Sequence, residues 1–405
     1  MAKSSETTAN ASTIRNILTL RYDPNQNTPL PILTWKDFTP TENLSLEFIE
    51  QTIGDYVQEK IEELKIKKIV VALSGGIDST LILTLLKKDF PQMKLETISI
   101  KFAESVDESE KAAKISDFFG IEHQTIFLEN YLSELPQAIY AAKLPFWDLH
   151  WFYVVKKAHI LSLHLASGDG GDELFGGYTF RYSKFLSLVT ANSSPLEKVK
   201  AYLSCHERDS VPDQEQLFGP KCHFSWDEIF DRLLPYFDNK LDPLEQVFLA
   251  DYNGKLLYNF SIVNTRIHQY FEINNIAPIL SPKMISYSTH IPSHQKYDKN
   301  TNVGKIPFRH ILKKYNTDRF VSDEKLGFSV NTINLWKTFG KSIANHYLSD
   351  SRAAKAGLIN GDWIKKHVKQ NDLDVRHTNK MLGLLALEIW YRLFVTKEMR
   401  PSETL

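Results

Sequence analysis

The chain has 405 residues, 42% of them hydrophobic and 24% charged, with a formal net charge of -1. That balance fits a soluble globular protein with a sizeable core and excludes a nucleic-acid partner held by overall basic charge. No apolar run approaches the roughly 18 residues needed to cross a bilayer, so no membrane association is expected. The polar start, 1–12, has no hydrophobic segment of a signal peptide and reads as a frayed tail. Cys205 and Cys222 lack the spacing of a disulfide or zinc framework, and a reducing cytoplasm is the expected compartment.

In chain order, residues 13–40 carry two short apolar runs, Ile17-Leu18-Thr19-Leu20 and Pro31-Ile32-Leu33-Thr34-Trp35, around Asp23-Pro24-Asn25. This pattern predicts a small hairpin. Leu46, Ile49, Ile53, Val57, Ile61 and Leu64 recur at three- and four-residue steps and predict a helix. From residue 69 strands and helices alternate: strand 69–73, helix 79–88, strand 95–102, helix 107–119, strand 124–128, helical stretch 130–142, helix 150–160, strand 161–166. Such alternation predicts an α/β fold with a doubly wound parallel sheet. Beyond about 183 the strand pattern fades into helical spacing at 226–236, 244–273, 333–348 and 380–396. The expected organisation is therefore a tail and hairpin (1–40), a nucleotide-binding core (41–182) and a C-terminal helical extension (183–405). The pairs Lys87-Lys88, Lys156-Lys157 and Lys313-Lys314 read as solvated faces.

Two glycine-rich segments carry the chemistry. Ser74-Gly75-Gly76-Ile77-Asp78-Ser79-Thr80 follows the apolar run Ile69-Val70-Val71-Ala72-Leu73 and precedes an apolar helix. Strand, glycine turn and helix N-terminus together aim backbone N–H groups at one point, a site for a polyphosphate. Glycines let the main chain approach the anion, hydroxyls add donors, and Asp78 offers a carboxylate to a metal bridging phosphates. The Gly-Lys-Ser/Thr ending of a Walker loop is absent. A plain βα turn with Asp and Ser as helix caps would use the same residue types. The second segment, Ser167-Gly168-Asp169-Gly170-Gly171-Asp172-Glu173-Leu174-Phe175-Gly176-Gly177-Tyr178, holds five glycines and three carboxylates, which is costly for structure alone. Both segments fall at carboxyl ends of strands, where ligands bind in open α/β sheets. Asp172 is expected to face Asp78 and share magnesium with it on the phosphates of ATP.

Ser74–Ser79 and Ser167–Glu173 together resemble the synthetase domain of asparagine synthetase and its relatives, the β-lactam synthetases among them. These are adenine-nucleotide α-hydrolases with a pyrophosphatase-type (PP) loop. The second segment is the more specific, since thiolases and other amidotransferases share only the first. The likeness extends through Val106-Asp107-Glu108 and Gly120-Ile121-Glu122-His123, Asp148, Arg266, Gly304-Lys305 with Arg309, and Asp323-Glu324-Lys325-Leu326-Gly327-Phe328-Ser329. It departs in three places. Residues 1–40 are too short for the family's glutaminase domain and position 2 is not cysteine; Thr265 replaces the family's aspartate before the arginine; and 274–281 reads Asn-Asn-Ile-Ala-Pro-Ile-Leu-Ser in place of the family's Arg-Val-Pro-Phe-Leu-Asp stretch.

The resemblance implies an ATP-dependent carboxylate–amine ligase. ATP activates an acid, aspartate in the parent family, to an acyl-adenylate with release of pyrophosphate, and ammonia or an amine then attacks. The nitrogen would come free or from a separate glutaminase partner. The implied roles are Ser74, Gly75, Gly76, Ser79 and Thr80 as pyrophosphate cradle, Asp78 and Asp172 as Mg2+ ligands, Ser167 and Gly168 beside the adenine or ribose, and Leu73 and Ile100 as apolar walls. Lys325 is the implied transition-state cation, with Tyr178 and Asp169 as further catalytic positions. The altered 274–281 segment would also suit a ligase forming another amide or a β-lactam-type bond. A catalytically silent nucleotide-binding subunit is the reading from a different class.

Overall fold

Five parallel strands form the centre of the computed structural model, which describes residues 10–103, 109–321, 330–370 and 372–405. The strands are β1 (Lys68–Ala72), β2 (Lys94–Phe102), β3 (Glu122–Leu128), β4 (His164–Ala166) and β5 (Asn274–Ile276), in the order β3-β2-β1-β4-β5. Ile69, Val70 and Val71 are wholly buried, as a continuous apolar run requires when helices cover both faces of a sheet. The helices of this region are α2 (Leu46–Leu64), α3 (Ile77–Asp89), α4 (Ser109–Phe119), α5 (Leu135–Ala142) and α6 (His150–Leu161). Of these, α4 packs on β2 and β3, and α6 crosses β1 to β4. The expected doubly wound parallel α/β sheet is the one observed. Strand order reverses between β1 and β4, and the crevice this opens at their carboxyl ends receives both glycine-rich segments.

The chain beyond the sheet differs from expectation in three ways. Residues 13–40 form no hairpin: they fold as α1 (Ala11–Leu20) and a 3-10 turn, Trp35–Phe38. Ile14, Ile17 and Leu18 share a buried face at helical spacing, and Asn10 caps the first turn through Ser12 N at 2.9 Å. Asp23 accepts from Thr13 at 2.7 Å and Asn16 at 2.9 Å, so the Asp-Pro-Asn segment closes a helix end instead of a strand turn. The second run finds its backbone partners elsewhere: the buried Asn253 side chain accepts from Leu33 N at 3.0 Å and donates to Leu33 O at 2.8 Å.

The second difference is β5, which lies in the half expected to be helical. It pairs with β4 in the register His164↔Asn274 to Ala166↔Ile276, and Ser167 N extends the pairing to Ile276 O at 3.1 Å. Three residues are too short to print a pattern on the sequence. The third concerns partners of the lysine pairs, since Lys88 and Lys314 are exposed, as expected, yet reach an inward carboxylate. Lys88 and Lys314 both bind Glu50, a buried carboxylate, at 3.0 and 2.8 Å, and Lys156 pairs with Glu134. A carboxylate inside the protein needs cations, and these lysines supply them. Elsewhere the C-terminal half is helical, as expected, and its apolar side chains join those of the sheet in one continuous core.

Replacing Asn253 with alanine leaves the amide and carbonyl of Leu33 without partners. The expected cost is about 1–3 kcal/mol, read as a lower denaturation midpoint with unchanged slope in urea.

Candidate active site

The first glycine-rich segment bends from β1 into α3. Gly76 stands at the N-cap of α3 and offers no capping side chain, while Ile77, Asp78 and Ser79 of the first turn line the crevice. A helix start so arranged favours an anion. Ser74 and Ser79 fix the bend: Ser74 N donates to Ser79 Oγ, Gly76 N to Ser74 Oγ and Ser79 Oγ to Gly76 O, each at 3.2 Å.

The second segment leaves β4, turns at Gly170 with φ +88° and enters the short helix α7 (Gly171–Phe175). The two segments touch. A Cβ on Gly168 would stand 2.7 Å from the Asp78 carbonyl carbon and 2.9 Å from Ser79 N, and one on Gly171 would stand 2.4 Å from Asp78 Oδ1. Only glycine permits this approach at 168 and 171, and the approach brings Asp172 beside Asp78.

One ammonium joins the two carboxylates. A two-residue antiparallel pair, β6 (Tyr297–Asp298) and β7 (Val303–Gly304), delivers the chain to Lys305, which adopts φ +54° at the start of the helix Ile306–Lys314. Lys305 N donates to Phe175 O at 3.0 Å, anchoring this turn to α7. Lys305 Nζ then binds Asp172 Oδ1 at 2.7 Å and the carboxylate of Asp78. Burial alone would lower the pKa of this side chain, but Asp172 and Asp78 outweigh it and hold the amine above the usual lysine value. It is a fixed cation. The sequence singled out Lys305 only as part of a resemblance, because a lysine in a polar stretch announces nothing before the topology places it.

Around this centre lies a cavity of about 480 Å³. Ser74, Gly75, Gly76, Asp78, Ser79, Ser167, Gly168, Asp169, Asp172 and Tyr178 all line it. Leu73, Thr80 and Ile100 do not: each is buried, with Leu73 N held in the strand ladder by Ile98 O at 2.8 Å. Thr80 lies past the first turn of α3 and Ile100 inside β2, so the positions meant as cradle and walls serve as core beneath the floor. Tyr178 donates its hydroxyl to Glu173, and the Arg181 guanidinium lies 4.1 Å over its ring. Burial, followed by the Glu173 charge, pushes the Tyr178 phenol well above its ordinary range, so it is a donor and not a base. Asp169 accepts from Asn264 Nδ2 at 2.9 Å, and burial raises its carboxyl.

The far wall comes from the C-terminal half. A π-helix, Tyr252–Ser261, contributes Leu256, Asn259, Phe260 and Ser261, followed by Val263, Asn264 and Thr265. Asn275, Ala277 and Leu280, from the segment that departs from the family pattern, close one side. Asp148 also lines the cavity and binds Arg21. Arg266 stays outside the lining, bound to Ala142 O at 3.2 Å and Gln26 Oε1 at 3.0 Å. Lys325 with its Asp323–Ser329 loop, and Val106-Asp107-Glu108, lie outside the described residues. Lys305 Nζ already bridges Asp78 and Asp172, so a hard divalent cation such as Mg2+ would take the carboxylate oxygens that the ammonium does not hold.

A family model described as asparagine synthase matches residues 65–392. The asparagine synthetase [glutamine-hydrolyzing] 1 of Bacillus subtilis is 24% identical, the match covering 82% of this chain and 57% of the relative. A putative asparagine synthetase [glutamine-hydrolyzing] of Mycobacterium bovis is 22% identical over 82% of this chain and 55% of its own length. The chain thus spans just over half the length of these curated relatives. Among solved structures, an NH3-dependent NAD synthetase from Campylobacter jejuni overlaps with 33% of this chain and 61% of its own, at 21% identity and a TM-score of 0.27. An NMN synthetase from Francisella tularensis overlaps with 52% of this chain and 95% of its own, at 17% identity and a TM-score of 0.28.

The contact between the two glycine-rich segments is testable without any substrate. Gly168→Ala sets a methyl group against the Asp78 backbone, which cannot retreat as a flexible side chain would. A destabilisation of about 1–3 kcal/mol is expected from overpacking, measured as a lower unfolding temperature.

Proposed function

This chain belongs to the asparagine synthase family, and on that premise we propose that it is an ATP-dependent amide ligase. It would activate a carboxylic acid as an acyl-adenylate, release pyrophosphate, and pass the acyl group to ammonia or an amine. The observation that carries this reading is the convergence of Asp78, Asp172 and the Lys305 ammonium at the N-terminus of α3.

Attack of a carboxylate on the α-phosphorus builds charge on the departing pyrophosphate. The backbone of 74–79 and the start of α3 lie where that charge would be received, and Lys305 Nζ adds a full positive charge beside them. Asp78 and Asp172 would hold Mg2+, which when bound neutralises phosphate oxygens. Held by two carboxylates, the Lys305 amine needs no reorganisation at the moment of reaction. Lys325, of which this role was expected, lies outside the described residues, and we assign the role to Lys305, which lines the cavity together with Lys111 and Arg309. Ser167 and Gly168, at the end of β4, are assigned to the nucleoside side. Asp169, held by Asn264, is assigned to the acceptor side of the cavity, facing the π-helix wall. The Tyr178–Glu173 hydrogen bond stiffens the second segment beneath the phosphates.

Aspartate is the proposed acid and ammonia the proposed nitrogen source, delivered free or by a separate glutaminase. A second reading, formation of another amide or a β-lactam-type bond, is favoured by one specific placement. Thr265, Asn275, Ala277 and Leu280, which sit where the chain departs from the family pattern, all line the cavity. Pyrophosphate release with ATP, Mg2+, ammonium and aspartate, compared with a panel of other carboxylic acids, separates the two. No pyrophosphate release with any acid, despite nucleotide binding, would leave only a silent binding subunit.

Lys305→Met is expected to lower the rate of pyrophosphate release by about 10²–10³-fold, the usual cost of one lost electrostatic donor, while far-UV circular dichroism stays native. Lys305→Arg is not expected to restore it, since a planar fork cannot occupy the place of a point charge between two carboxylates. The same ion pairs set a pH dependence. A lysine whose folded pKa exceeds its unfolded value, about 10.4, stabilises fully below that pH and loses the contribution only as pH rises through the folded value. Wild-type rates are therefore expected to show no lysine titration on the alkaline limb up to about pH 10.

A further inference from the structure

Away from the cleft, three side chains converge where three helices meet. Asp213 stands before the helix Gln214–Leu217, His367 lies in the last turn of Gly361–Val368, and His377 in the first turn of Val375–Phe394. One ligand-type atom from each lies within 4.8 Å of the others, and none of the three lines the active-site cavity.

The hydrogen bonds fix which nitrogens face inward. His367 Nδ1 lies 2.8 Å from Trp363 O, and a carbonyl can only accept, so Nδ1 carries the proton. His377 Nδ1 lies 3.0 Å from Asp374 Oδ1, which fixes its proton in the same way. In the neutral rings both Nε2 atoms turn a lone pair toward the Asp213 carboxylate, at 3.9 Å for His367 and 3.6 Å for His377, beyond hydrogen-bond reach. Asp213 is oriented too: Trp363 Nε1 donates to its Oδ2 at 2.9 Å, while its buried Oδ1 accepts no hydrogen bond among the described residues. The His367 side chain is only 4% exposed. Three potential ligand atoms thus converge, one on the buried His367 and two on the partly exposed Asp213 and His377.

We propose that Asp213, His367 and His377 form a binding site for a divalent transition metal, zinc in the first instance, that ties the C-terminal helices together. Two imidazoles and a carboxylate are the ligand set of zinc and are unsuited to magnesium. In tetrahedral zinc sites ligand atoms stand about 3.3 Å apart, so each imidazole would move toward the Asp213 carboxylate by about half an ångström, and the two rings toward each other from a separation of at most 4.8 Å. The outer contacts are those metal-bound histidines use, each Nδ1 donating to a carbonyl or carboxylate. The fourth position is open to water.

The test uses the full chain, stripped with chelator and dialysed free of magnesium. Zinc titrated by calorimetry is expected to bind at about one equivalent per chain and to raise the unfolding temperature; cobalt in its place is expected to give the intense visible bands of tetrahedral coordination. His377→Gln should abolish both. Asp374→Asn, which keeps the helix cap but weakens the support of His377, should lower affinity by about 10–100-fold. Binding that survives His377→Gln unchanged would place the metal elsewhere, at Asp78 and Asp172, and overturn the proposal. So would the absence of tetrahedral cobalt bands in a chain whose metal-free circular dichroism is native.

Discussion

A single buried ammonium shared by two carboxylates is the constraint on which the active site depends. Asp78 and Asp172 reach each other because strands β1 and β4 are neighbours and because glycines let the loops after them touch. Two like charges so close would repel without a cation between them. Lys305 meets that need from a third part of the chain, held by a tight antiparallel pair and by its own backbone bond to α7. Loop geometry, charge balance and helix placement are therefore one problem with one solution, and altering any member disturbs the other two.

The opposite wall of the cavity follows a different rule. It is built from the π-helix Tyr252–Ser261, continuous with the helices before and after it, and from Asn275, Ala277 and Leu280. A stretch of π-helix inside longer helices widens the turn and re-aims side chains, a feature frequent at functional sites. The half of the cleft lined by the two glycine-rich segments is made of backbone and charge and tolerates little change. The facing half is made of side chains and admits substitution, and this is where the chain departs from its family.

The sheet was legible because Ile69-Val70-Val71-Ala72-Leu73 and its successors alternate with helical spacing, a local signal. So were Asp78 and Asp172, since glycines and carboxylates are rarely spent together without a ligand. The hairpin expected at 13–40 failed for a non-local reason: its second run hydrogen-bonds to Asn253, more than two hundred positions away, and Ile17-Leu18 fits a helix as well as a strand. Lys305 was hidden for a similar reason, because its meaning arises only when three distant segments meet. Leu73, Thr80 and Ile100 show the converse. They stand next to the glycine segments or in a neighbouring strand, yet the pleat and the helix turn direct them into the core.

The fifth strand carries a consequence for how the protein comes into being. Asn274–Ile276 closes the edge of a sheet whose other members end at residue 166. A nascent chain in which both glycine-rich segments are complete still leaves the open side of β4 without its partner strand, with unpaired amides and carbonyls able to recruit another chain. More than a hundred residues must be translated before that border is sealed. The pairing of β4 with β5 is thus a contact of high sequence separation, the kind that forms late in folding.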